Sequence, residues 1–123
     1  MDDYQIAVTL DDYMDGLRAI SYVDSLELVD KNLKPTTLSA GERRTLISIS
    51  LLTAFSPNVD RKAEAPRIKI DCEEMLFMNY VLEKFEKCYS RGENETCMEL
   101  LGGLVAIIKA DRLTELVKVS QSN

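Results

Sequence analysis

The chain has 123 residues, 46% hydrophobic and 29% charged, with five Gly and three Pro. That balance belongs to one compact domain and excludes a disordered, collagenous or multidomain chain. Fifteen basic against 21 acidic residues give a net charge of -6, which repels polyphosphate and anionic membranes and favours a basic partner.

The charge is segmented along the chain. Residues 1–30 hold eight acids against Arg18 alone, whereas residues 31–69 hold eight bases against Glu42, Asp60 and Glu64. Oppositely charged stretches of one chain make a homodimer an expectation. No apolar run approaches the roughly 18 residues of a membrane span. The opening Met-Asp-Asp-Tyr lacks the basic and apolar regions of a secretory signal, so the expected setting is cytoplasmic, without membrane contact. Three cysteines in a chain able to build its own core read as reduced thiols. The Asn94-Glu95-Thr96 sequon is then incidental.

The pattern predicts an all-α single domain over 1–123 with four main helices. The first spans about 9–30: Thr9 caps it, Asp12 takes the capping-box position, and Leu10, Tyr13, Leu17, Ile20, Val23 and Leu26 form a stripe toward Val29. Pro35 makes 34–38 a loop. Ser39 and Glu42 then form a capping box for a second helix over 39–55, apolar nearly all round. A strand is the competing reading of 46–55, because Ile47, Ile49, Leu51 and Phe55 also alternate in twos.

Residues 57–70 form the longest connection, basic and containing Pro66, with 67–70 read as a short edge strand or a surface crossing. Asp71 and Glu74 start a third helix over 71–91, with an apolar stripe from Leu76 to Tyr89 and Gly92 as its stop. Asn94 is expected to cap a fourth helix over 94–119, which makes the last two an antiparallel hairpin. Gly102, Ala106 and Ala110 recur every four residues as a flat strip suited to a close helix crossing or to self-association.

Chemistry is read by subtraction. There is no histidine, which removes the commonest general base and metal ligand and every Ser-His-Asp or Cys-His mechanism within the chain. Cys72 and Cys88 lie about 24 Å apart along one predicted helix, too far to share zinc. Cys88 and Cys97 flank a turn but sit on apolar stripes, where thiols act as small hydrophobes. No glycine-rich phosphate loop occurs. No metal, cofactor or catalytic residue is therefore expected, and the chain is read as a non-enzyme.

What remains is binding to another protein, as an inhibitor, adaptor, immunity factor or assembly subunit, by fold-level analogy. The favoured contact is Asp11, Asp12, Tyr13, Met14 and Asp15, where charge steers and an aromatic anchors. For these acids alone, the simpler reading is that Asp11 and Asp12 complement the helix dipole while Asp15 stays solvated. The runner-up function is a nucleic-acid regulator using Arg61, Lys62, Arg67 and Lys69, a loop without interleaved aromatics in an acidic protein.

Overall fold

The computed structural model describes residues 6–60, 62 and 70–121. Within them the chain is all-α, with five helices: α1 (Leu10–Asp24), α2 (Ala40–Phe55), α3 (Cys72–Ser90), α4 (residues 94–109) and α5 (Leu113–Gln121). Of the expected strand at 67–70 only Ile70 is described, and among the described residues the only β pairing is one bridge between Val29 and Pro35.

α1 begins as its sequence dictates. The Thr9 hydroxyl accepts from the Asp12 N–H at 3.2 Å, and the Asp12 carboxylate accepts from the Thr9 N–H at 3.2 Å. It stops at Asp24, not near Asp30. Residues beyond it prefer local bonds: the Ser25 hydroxyl donates to Tyr22 O, and Asp30 Oδ1 accepts from the N–H groups of Asn32 and Lys34. Thr36 N–H to Leu28 O closes the hairpin loop. A short carboxylate that satisfies its own backbone offers the chain an alternative to the helix, so Leu26 and Val29 leave the stripe for the surface.

α2 is a helix, which settles the strand alternative. Its hydroxyls bond back to its own carbonyls, Ser48 to Arg44 O and Thr53 to Ile49 O, so these two side chains meet their hydrogen-bonding needs within the helix. It is not buried all round. Ile47, Leu51 and Leu52 enter the core, while Leu46 and Ile49 stay half exposed.

α3 ends at Ser90, and Gly92 just beyond it takes φ 72°. The Glu93 N–H reaches Cys88 O and the Gly92 N–H reaches Tyr89 O, the paired bonds of a Schellman stop. The tight turn folds α4 back on α3 as the expected hairpin. Asn94 is the first helical residue of α4, not its cap. The helix runs Asn94–Cys97, widens into a π-helical turn over Met98–Gly102, and resumes over Gly103–Lys109.

The expected single helix over 94–119 is broken. Asp111 takes φ 58°, and Arg112 N–H to Ile107 O with Asp111 N–H to Ile108 O repeats the Schellman bonds. Aspartate enters the left-handed region more readily than most residues, and its carboxylate accepts from Asn58 Nδ2 at 2.8 Å. α5 therefore turns away and packs on α3, where the Thr114 hydroxyl donates to Glu74. Leu51, Met78, Leu82, Leu101 and Val105 form the fully buried centre, with α4 at its heart.

Candidate functional site

The acidic first turns of α1 are partly turned inward. The Lys109 ammonium lies 2.8 Å from Asp12 Oδ1 and 2.9 Å from Asp15 Oδ2, and Arg18 holds the other Asp15 oxygen at 2.7 Å. Burial pushes the Asp12 carboxyl up, but hydrogen bonds from Lys109 and Thr9 outweigh it and hold the group below its ordinary range. Bonds from Asp12 and Asp15 push the Lys109 ammonium up. Tyr13 packs against the core and against Gly102, and burial raises its phenol. Of the five residues expected to meet a partner, Asp11 and Met14 face solvent. The other three join α1 to α4, a link made across 97 positions of sequence in the Asp12–Lys109 pair.

The small-residue strip is placed with equal definition. A Cβ on Gly102 would sit 2.8 Å from Val8 Cγ1, so Gly102 lies at the close crossing of the α1 entry segment with α4. Ala106 is buried and Ala110 is exposed beyond the last turn. Of the basic loop, Lys62 is exposed and its N–H bonds to Asp60. Arg61, Arg67 and Lys69 lie outside the described residues. Arg43 and Arg44, upstream in the same basic stretch, are already committed. Arg43 grips both oxygens of Asp24 at 2.7 and 3.0 Å and reaches Glu86 at 3.2 Å, and Arg44 reaches the other Glu86 oxygen at 3.1 Å.

This ion network forms the rim of a cleft of about 440 Å³ between α1, α2 and α3. Its floor is apolar: Leu17 and Ile20 from α1, Ile47 from α2, Leu82 and Phe85 from α3. Tyr89 stands at one edge, its ring 5.6 Å from that of Phe85. The Arg43 hydrogen bonds hold the Asp24 carboxyl below its ordinary range despite partial burial. Planar guanidinium bonded to both carboxylate oxygens is the most orienting of protein ion pairs, so the rim has fixed geometry. A concave apolar floor with a few convergent charged groups is the general form of a recognition pocket.

The sequence marks Leu17, Ile20, Leu82 and Phe85 as stripe residues, a signal for burial that does not separate a closed core from a cleft. The Asp24–Arg43 and Arg44–Glu86 pairs join positions 19 and 42 apart, and no local spacing announces them. Among the described residues no group of three Cys, Asp or Glu side chains is placed to hold a metal ion, and no helix is long and apolar enough to cross a membrane. Cys72 is exposed, Cys88 half buried and Cys97 buried. Comparison with protein-family models, with curated proteins and with solved structures finds no match to this chain.

Proposed function

We propose that this chain is a non-catalytic binding module that holds an apolar segment of another protein in the cleft between α1, α2 and α3. The observation that carries the reading is the pairing of an apolar floor, Leu17, Ile20, Leu82 and Phe85, with a rim set by Asp24, Arg43 and Glu86. A floor built from three helices suits an amphipathic helix presenting side chains at three- and four-residue steps. The net charge of -6 and the solvent-facing Asp11 favour a basic partner by speeding encounter. Absence of imidazole from the sequence supports binding over turnover, and free thiols suit a cytoplasmic setting.

The test is selection of helical peptides from a displayed library against the intact chain, followed by titration of variants. Ile20→Glu is expected to weaken the selected peptide by tenfold or more, on the order of 1.4 kcal/mol. Asp11→Lys is expected to slow association with little change in dissociation. Selected peptides that bind Ile20→Glu and wild type equally would remove the cleft as the working surface.

A further inference from the structure

The rim of the cleft between α1, α2 and α3 is unevenly charged. Two carboxylates line it, Asp24 and Glu86, against the single guanidinium of Arg43. Arg43 is divided between both: its Nε and Nη2 bond the two Asp24 oxygens, and its Nη1 bonds Glu86 Oε1. Arg44 meets the remaining Glu86 oxygen but does not line the cleft. Its side chain keeps 18% of its surface exposed, against 32% for Glu86 and 50% for Asp24, so the carboxylates are the more open charges.

Each oxygen of Asp24 and Glu86 takes one hydrogen bond from an arginine in this network and, with two lone pairs, can accept another. A cation arriving at this edge extends the alternating row of Asp24, Arg43, Glu86 and Arg44 without displacing a member. An anion arriving there meets two carboxylates and one guanidinium that they already share, and is repelled. Asp24 is also the last residue of α1, whose last turn holds no base, so the negative end of that helix adds to the attraction for a cation. Tyr89, three residues after Glu86 and so on the same face of α3, lines the same cleft and is 61% exposed. Its ring is an open surface that the methylene stem of a long cationic side chain can cover.

Resting on the cleft as the binding surface, we infer that its occupant is an amphipathic helix of another protein whose apolar stripe is flanked by a lysine or arginine, with that cation set against Asp24 and Glu86. The stripe covers the floor of Leu17, Ile20, Leu82 and Phe85 and supplies most of the affinity. The cation gives the helix one register, because apolar contacts alone tolerate sliding and a charge pair at the rim does not.

A displayed library of helical peptides, with leucines fixed at three- and four-residue steps and the flanking position drawn from Lys, Gln and Glu, tests this on the intact chain. Lys is expected to be enriched. The selected peptide should bind about threefold tighter than its Gln form and about tenfold tighter than its Glu form at low salt, differences that shrink at about 1 M salt. Ser21 lines the cleft one turn before Asp24 and is exposed, so Ser21→Lys changes the rim charge without removing a member of the arginine network. It is expected to weaken the Lys peptide about threefold and to leave the Gln form unchanged, a split that a distorted cleft does not produce. Peptides that Ile20→Glu weakens, but that show no preference for Lys or lose equally in both forms to Ser21→Lys, would overturn the inference and leave the cleft standing as the binding surface. Peptides that Ile20→Glu does not weaken would remove both.

Discussion

Gly16 of α1 and Leu101 of α4 meet with no room for a methyl group between them. A Cβ on Gly16 would lie 2.6 Å from Leu101 Cγ and 2.9 Å from each of its Cδ carbons. Leu101 is fully buried and sits in the π-helical turn that presses α4 against α1. A close-packed interior gives its side chain nowhere to go.

Gly16→Ala therefore sets a helix-propensity gain of up to about 1 kcal/mol against an overpacking cost of roughly 1–3 kcal/mol. The expected result is a net loss, read as a lower urea midpoint at unchanged slope. Gly41→Ala is the matched control. It also lies in a helix, its Cβ would meet nothing within 4 Å, and the midpoint should rise.

Much of the fold is written in local signals. The Thr9 and Ser39 capping boxes and the Gly92 stop follow from residue types a few positions apart, and each appears where its sequence places it. The failures have physical causes of two kinds. α1 stops at Asp24 and α4 just before the left-handed Asp111, although in each case the apolar stripe of the sequence continues, because periodicity records burial and not backbone bonds. At Asp12 and Arg43, the partners Lys109 and Asp24 are supplied by other helices, so exposed-looking acids and bases become internal ties. The cleft was half legible: its apolar floor is in the stripes of α1 and α3, but its rim exists only once three helices are assembled.

Lys109→Met should cost about 1–2 kcal/mol, since it leaves the buried Asp12 carboxylate without its cation; the exposure of Lys109 keeps the loss below that of a fully buried pair. The pH dependence has two limbs. Asp12 and Asp24 have lowered folded values, so their contribution is present above the ordinary carboxylate value of about 3.9 and is lost as pH falls through the lowered ones. Lys109 is raised, so its contribution is present below about 10.4 and is lost as pH rises through the raised value. Denaturant unfolding across pH should show both limbs in wild type and a flatter curve in the variant.

Glu86→Gln removes the carboxylate that serves both Arg43 and Arg44. Arg44 Nε is already buried without a hydrogen-bond partner among the described residues, so the change leaves a largely buried guanidinium poorly met. A loss of about 1–2 kcal/mol is expected. It is measured by thermal unfolding beside Glu83→Gln, which removes only an exposed surface pair with Lys87 and should shift stability by less than about 0.5 kcal/mol.

The thiols should separate by reactivity. Burial pushes the Cys97 and Cys88 thiols up, with Glu93 adding to the effect at both, whereas Cys72 is exposed at the start of α3. Titration with a thiol-reactive dye under native conditions should modify Cys72 first and Cys97 last, at a rate tied to unfolding. Fast labelling of Cys97 would show that α4 leaves the core far more often than its packing implies.

The most direct measurement of the account is a methyl-resolved NMR titration of the intact chain with a library-selected helical peptide. Saturable shifts are expected at Leu17, Ile20, Ile47 and Leu82, with the rim pair Asp24–Arg43 retained, and in Ile20→Glu the remaining shifts should need tenfold or more peptide to saturate. Shifts centred instead on Met14 at the start of α1, with the cleft methyls unmoved, would contradict the assignment of the cleft as the binding surface.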